Sequence, residues 1–412
     1  MAVEVLVLAD DLTGANDAGA QCARLGVRSV VTTDVELSPE GLPDDIAVVV
    51  IDTESRHDTP DQAHDKVARI ARRFYTNRTP RLFKKTDSTL RGNIGAELDA
   101  ALSCGPFERL LFMPAYPAAG RMTVDGHHYV DGQPVHESPY GHDPRAPVSE
   151  SFVPALLAKQ TELDIAHTGP AGLMGALARM AHGILIVDAS AEDEIRAVAE
   201  RMHVRGDTAF AGPVGVLAEL LPRWGLPAKP LVVPHGDGPL LIVNGSLNEV
   251  SLRQCAWARL HGFTSVRMPA EALVNSGCRE TVAVQVADRL RAHEDVTLFT
   301  VENVSELYDS EPGPAGLPVP EACGEIVARA LALLDVGPSF ALCIFGGETS
   351  HAVLERIGCV TLYPCAYLGD GLSAACVSAC SEVAVVVTKS GGFGPENVAG
   401  AVRDWVRAAA GR

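Results

Sequence analysis

The sequence predicts an α/β protein of two domains, each a mainly parallel sheet flanked by helices, with the active site in the cleft between them. Three observations carry that prediction. Apolar, β-branched runs such as residues 3–9 and 46–52 pass directly into polar turns and then into helix-like segments, the order of repeated βαβ units. The turns after these runs collect carboxylates, cations and hydroxyls in the first half, and glycines and hydroxyls in the second. Between the halves, Pro222, Pro227, Pro230, Pro234 and Pro239 lie close together among glycines, the strongest linker signal in the chain. The expected boundary separates residues 1–232 from residues 233–412, and 412 residues accommodate two domains at roughly 150 residues or more each.

Composition narrows the function. Hydrophobic residues make up 47% of the chain, enough for large cores. The formal net charge of −18 argues against nucleic acid or an anionic membrane as a main partner. It also means that an anionic ligand must be held by local cations, because the overall field repels it. The 10 cysteines form no CxxC pair, and no basic-flanked leader or run of about 18 apolar residues is present. A cytoplasmic protein with reduced thiols is expected.

In chain order, the strand at residues 3–9 ends in Asp10-Asp11-Leu12-Thr13-Gly14 and a small-residue helix follows to Leu25. One carboxylate, or Thr13, would suffice as a helix cap. Two adjacent carboxylates repel each other, so this turn reads as a ligand site. A second strand follows at 29–32. The strand at 46–52 ends in Asp52-Thr53-Glu54-Ser55-Arg56, before a helix at 61–75. The strand at 81–84 opens KKTDSTLRGNIG, which carries Lys85, Asp87, Ser88, Arg91 and Gly92 and leads into a helix at 94–102. A cap would use one polar residue of this turn; the remainder point to a small anionic ligand. The strand at 109–113 runs into residues 114–135, read as a long loop or lid carrying Arg121, Asp125, His127, His128 and Asp131. The paired histidines have no regularly spaced third ligand, so no protein metal site is expected. A helix at 152–160, a strand at 183–188 and a helix at 192–203 complete the first half.

The second half opens with a strand at 240–243, the turn Asn244-Gly245-Ser246-Leu247-Asn248 and a helix to Leu260. Residues 312–320 read as a surface loop. The strand at 340–345 ends in Gly346-Gly347-Glu348-Thr349-Ser350, ahead of a helix to Ile357. The strand at 383–388 ends in Lys389-Ser390-Gly391-Gly392-Phe393-Gly394. Glycine lets backbone N–H groups approach a phosphate, and a helix start adds a favourable dipole. Three such turns favour a nucleotide polyphosphate, although GxxxxGK[ST] is absent. Gly369-Asp370-Gly371-Leu372-Ser373-Ala374 matches GxGxxA and supports an alternative, an NAD-linked hydroxy-acid dehydrogenase. A non-catalytic sugar-acid sensor is a further alternative. A polyol-acid half beside a phosphate half suits phosphoryl transfer, where positioning and charge stabilisation carry the catalysis.

At this point the chain resembles the four-carbon acid sugar kinases, nearly end to end. The resemblance rests on ADDLTGAND, KKTDSTLRGNIGAEL, PAYPAAGRMTVDGHHYVDG, Gly245-Ser246, GGET at residues 346–349 and KSGGFG at residues 389–394. It implies a sugar-acid-binding first domain, a nucleotide-binding second domain, and phosphorylation of the terminal hydroxyl of threonate, erythronate or 3-oxo-tetronate with ATP and Mg²⁺. Asp11 or Asp87 is expected as general base, with Asp370 next in line. Asp10, Thr13, Lys85, Ser88, Arg91, Gly92 and Arg121 are expected on the sugar acid. Ser246, Gly346, Gly347, Glu348, Thr349, Lys389, Ser390, Gly391 and Gly392 are expected on ATP. The partners are small molecules, and a homo-oligomer is allowed. Two departures from the family pattern stand at Pro213, within Ala211-Gly212-Pro213-Val214-Gly215, and at residues 368–372; they bear on the substrate more than on the reaction class.

Overall fold

The computed structural model describes residues 3–75, 81–233, 238–302, 316–334, 340–369, 371–377 and 383–408. The chain divides into two compact units, Met1–Pro230 and Leu231–Arg412.

The elements of the first unit are β1 (Val5–Ala9), α1 (Leu12–Arg24), β2 (Ser29–Thr32), β3 (Val48–Asp52), α2 (Pro60–Phe74), β4 (Arg81–Lys85), α3 (Ile94–Ser103), β5 (Arg109–Phe112), β6 (Arg121–Val124), β7 (His127–Val130), β8 (Gln133–Pro134), α4 (Val153–Ala158), β9 (Ile165–Thr168), α5 (Leu173–Arg179), β10 (Gly183–Val187), α6 (Glu192–Met202), β11 (Thr208–Gly212) and α7 (Val214–Leu220). The main sheet runs β2–β3–β1–β4–β11–β5–β10–β9, and every neighbouring pair is parallel. Every residue of β1, β3 and β10 is buried, which is why they read as continuous apolar runs rather than alternating ones. The starts of α1 and α2 carry their own caps: Asp11 accepts from the Gly14 N–H at α1, and Thr59 with Gln62 forms a capping box at α2, ahead of Pro60. Pro213 stands at the N-cap of α7, where the helix asks nothing of the missing N–H.

Residues 114–135 are not the structureless loop expected. They hold the three-stranded antiparallel sheet β6–β7–β8. Asp125-Gly126 has φ of 48° and 75°, and Asp131-Gly132 has 50° and 82°. Both dipeptides therefore make type I′ hairpin turns, which need positive φ at two successive residues.

The second unit contains β12 (Leu240–Asn244), α8 (Glu249–Leu260), β13 (Thr264–Arg267), α9 (Ser276–Arg291), β14 (Val296–Phe299), α10 (Val319–Leu333), β15 (Phe340–Phe345), α11 (Gly347–Arg356), β16 (Thr361–Gly369), β17 (Leu372–Val377), β18 (Val383–Lys389) and α12 (Val398–Ala408). Strands β13–β14–β12–β15–β18 are parallel, and β17 and β16 extend that sheet antiparallel. Ala341, Cys343, Phe345, Val385 and Val387 pack with Val398, Val402 and Val406 of α12 in its core. In the GxGxxA match Gly369 ends β16 and pairs antiparallel with Leu372, and its second half is the strand β17. A dinucleotide fingerprint opens a helix instead, so the feature behind the dehydrogenase alternative is a hairpin. Asp370 lies outside the described residues, as do residues 312–315; α10 already begins within the remainder of the expected 312–320 loop.

Candidate active-site residues

In parallel sheets ligands bind beyond the carboxyl ends of the strands, and the register brings the acidic and basic turns of the first unit to that edge. Ala9 pairs with both Asp52 and Lys85, and Lys85 also pairs with Gly212. The turns after β1, β3 and β4 therefore emerge side by side.

Arg56, which the sequence reading left out of the site, organises them. Its Nε donates to Asp10 Oδ2 at 2.8 Å and its Nη1 to Asp11 Oδ2 at 2.7 Å, while Nη2 lies 3.8 Å from Asp87 Oδ1. Burial pushes the Asp10 carboxyl up, but Arg56 and then Lys84 outweigh it and hold it below the usual range. Burial likewise opposes ionisation of Asp87, and Arg56 and Arg91 overcome it, leaving the carboxyl far below its ordinary value. Asp52, buried beside Asp10 and Asp11, moves the other way and well above the usual range, chiefly through burial and further through those neighbouring carboxylates. Asp11 is the accessible member: its side chain is 27% exposed, against 3% for Asp10 and 11% for Asp87.

Arg91 donates from Nε to Asp87 Oδ2 at 2.9 Å and from Nη2 to Asp87 Oδ1 at 3.1 Å, a bidentate pair, and from Nη1 to Asp143 Oδ2 at 3.3 Å. Its guanidinium carbon lies 5.4 Å from the centre of the Tyr140 ring, and Arg121 Nη2 donates to the Tyr140 hydroxyl at 3.2 Å. Residues 140–143 thus join the Arg91–Arg121 pair, a contact that spacing alone could not reveal. Lys85 is buried at the start of α1: a Cβ on Gly14 would lie 2.9 Å from Asp11 Oδ1 and 3.0 Å from Lys85 Nζ. Thr13 is half-buried on the first turn of α1. Ser88 gives its carbonyl to His128 Nε2 at 3.0 Å, and His128 Nδ1 meets Thr123 Oγ1 at 3.0 Å. Both contacts suit a neutral imidazole, which burial enforces by moving the pKa down to about 4. The histidine expected in a lid is a buried prop beneath the KKTDSTLRGN turn. That turn is strained: Leu90 has φ 63° and is buried, and Gly92 has φ 91° against Arg56.

In the second unit the three glycine turns also share one edge. Asn244 pairs with Phe345, and Phe345 with Lys389, so NGSLN, GGETS and KSGGFG leave adjacent strands together. A Cβ on Gly346 would lie 3.3 Å from Ser246 Cβ, and one on Gly391 would lie 2.8 Å from Ser246 Oγ. A Cβ on Gly245 would run into the Thr349 hydroxyl. The turns therefore approach each other as only glycine permits. Helices α8 and α11 start here, and Glu348 is exposed in the first turn of α11. Lys389 is 1% exposed and lies beneath the KSGGFG loop rather than on it. Ser251 and Gln254, also absent from the sequence-based site, hold the same loop: Ser251 Oγ donates to Gly391 O at 2.7 Å, and Gln254 Nε2 to the carbonyls of Phe393, Gly394 and Pro395.

Comparison with known proteins matches both halves. Residues 5–220 fit the family model described as a sugar-binding N-terminal domain, and residues 241–399 fit a nucleotide-binding C-terminal domain. The chain is 33% identical to a D-threonate kinase of Cupriavidus necator over 95% of each chain. It is 29% identical to a D-erythronate kinase of Heliobacterium modesticaldum, covering 74% of this chain and 72% of that one. It is 26% identical to a 3-oxo-tetronate kinase of Methylobacterium radiotolerans, covering 98% and 99%. A crystal structure of a Salmonella typhimurium LT2 protein shares the fold, with a TM-score of 0.84 at 21% identity over 97% of this chain and 98% of that one. Among the described residues no helix is long and apolar enough to cross a membrane. On the matches across both halves, this chain belongs to the four-carbon acid sugar kinase family.

Proposed function

We propose that this chain transfers the γ-phosphoryl group of ATP to the terminal hydroxyl of a four-carbon sugar acid. The observation that carries the reading is the register of the second unit, which gathers three glycine turns and two helix starts at one strand edge. A Cβ at Gly346 or Gly391 would crowd Ser246 in that cradle; the cradle directs backbone N–H groups and helix dipoles to one place, and polyphosphate is the ligand such a place attracts. Ser246, Gly346, Gly347, Thr349, Ser390, Gly391 and Gly392 would line it. Mg²⁺ would travel with the nucleotide: among the described residues no three His, Cys, Asp or Glu side chains are grouped to hold a metal, and Mg²⁺ commonly rests on phosphate oxygens and water plus one or two carboxylates. Glu348 is the carboxylate beside the cradle in sequence. When bound, the ion would supply charge neutralisation on the phosphates.

On the acid side, Lys85, Arg91 and Arg121 supply the cations that a carboxylate substrate needs in a chain of net charge −18. Asp11 takes the proton of the attacking hydroxyl. Asp87 serves better as an anchor than as a base, because two arginines hold it ionised and a carboxylate so stabilised accepts a proton poorly. The relatives named above act on threonate, erythronate and 3-oxo-tetronate, so the substrate belongs to that group. The test is a coupled ADP-release assay with ATP and Mg²⁺ over a panel of tetronate stereoisomers and 3-oxo-tetronates. Turnover with at least one member is expected. Binding of the same acids without ADP release from any of them would replace the kinase by a sugar-acid sensor.

A further inference from the structure

The KSGGFG loop is held from below by an unusually complete set of contacts. Lys389 Nζ donates to Ser251 Oγ at 3.1 Å and to the carbonyls of Ser390 at 2.9 Å, Gly391 at 2.9 Å and Phe393 at 3.2 Å, with the Phe345 ring centre 4.7 Å away. Four acceptors exceed the three protons an ammonium has to offer. Gln254 adds three more contacts to carbonyls of the same loop. In a trans peptide the C=O and the following N–H point opposite ways. With the Ser390 and Gly391 carbonyls drawn down to Lys389, the N–H groups of Gly391 and Gly392 are turned up together. Two successive N–H groups presented this way form an anion-binding nest. We propose that Lys389 is a positioning residue, which aims the Gly391 and Gly392 N–H groups at the nucleotide's phosphates by holding the loop carbonyls and does not itself touch the nucleotide.

This rests on the nucleotide reading above. It differs from the ordinary expectation for a lysine in a glycine-rich turn, which would reach a phosphate directly. The burial that makes the staple also lowers the Lys389 pKa to about 8. The titratable groups facing it are the thiols of Cys343 on β15 and Cys255 on α8, each pushed up to about 12 by burial and therefore neutral with it; Ser251, Phe345 and the loop are uncharged. Nucleotide binding favours the protonated staple, so affinity is full below the lysine's pKa and declines as pH rises through it.

The experiment is calorimetric binding of ATP and of ADP to the full chain between pH 7.5 and 9.5, for wild type, Lys389→Arg, Lys389→Met and Gln254→Met, with sugar-acid binding and thermal unfolding as controls. Wild-type affinity should fall above pH ~8, and Lys389→Arg, whose guanidinium stays charged, should be flat over the same range. Lys389→Met should bind both nucleotides about tenfold more weakly at pH 7.5, on the scale of a lost charge-assisted contact. Sugar-acid affinity should not move. Gln254→Met, which alters no charge, should weaken nucleotide in the same direction. If Lys389→Met does not fold, Lys389→Arg and Gln254→Met carry the test. Wild type binding ATP with no pH dependence, or Gln254→Met binding it at full strength, would overturn the positioning role. Wild type failing to bind ATP at any pH would overturn the nucleotide reading itself.

Discussion

Asp11→Asn is expected to lower kcat by about 10²–10⁴-fold, the usual worth of a general base, with KM for ATP unchanged. Asparagine keeps the shape and can still accept from the Gly14 N–H, which Asp11 Oδ1 does at 2.9 Å. The α1 cap therefore survives; the proton acceptor is lost, and the ion pair to Arg56 Nη1 at 2.7 Å is reduced to at most a neutral hydrogen bond. Asp87→Asn should behave differently. It removes one side of the bidentate pair to Arg91 and of the contact to Arg56, so the loss should appear mainly as a raised KM for the acid. Steady-state kinetics on the two variants, with circular dichroism as the folding control, separates the roles. Near-normal kcat in Asp11→Asn together with a collapse in Asp87→Asn would exchange the assignments.

The second large effect concerns stability. Arg56→Met should destabilise the first unit by about 3–5 kcal/mol, the range for removing one partner of a buried ionic network. The cause is not one lost bond. Asp10 and Asp87 would lose the guanidinium that offsets their burial, so each must carry a poorly compensated charge or take up a proton, and among the described residues Asp10 Oδ1 already lacks a hydrogen-bond partner. The sign of the pH dependence follows from the depressed native pKa values of Asp10 and Asp87. Stabilisation from such groups is present above the unfolded value of roughly 3.9 and is lost as pH falls through the native one. The gap between wild type and Arg56→Met in urea unfolding should therefore be widest near neutral pH and should close below pH ~4. A gap that stayed constant into acid would mean that Arg56 acts by packing rather than by charge.

Much of this arrangement was legible in the sequence. Buried parallel strands are apolar throughout, so β1, β3 and β15 are legible as strands, and the polar or glycine-rich turns after them mark the carboxyl edge of each sheet. The hairpins at residues 121–134 were equally available: two Asp-Gly dipeptides six residues apart, flanked by Thr123-Val124 and Tyr129-Val130, are strong hairpin signals. The abundance of glycine, proline and histidine around them drew attention to a loop instead. Strands β9 and β13 carry no continuous apolar run because each is a sheet-edge strand and only partly buried; β11 and β14 are fully buried but hold threonine or glycine within a short run.

What sequence could not supply is partnership. Arg56 reads as the tail of a strand turn until β1, β3 and β4 stand side by side, and its partners lie 45 and 46 residues away. Lys389 is expected on ATP from the sequence, and only the fold reveals its contacts to the carbonyls of its own loop. Asp143 and Tyr140 lie about fifty residues beyond Arg91 and gain meaning only from the contact.

The central claim is that phosphate moves onto a terminal hydroxyl of the acid, and the product tests it most directly. The wild-type chain would be incubated with ATP, Mg²⁺ and the panel acid that gives the highest turnover, and the mixture read by ³¹P–¹H correlation NMR. The account predicts a phosphomonoester signal coupled to the two protons of the terminal CH₂, growing in step with ADP. Inorganic phosphate released beside an unchanged acid, or phosphorus coupled to an internal CH, would contradict it.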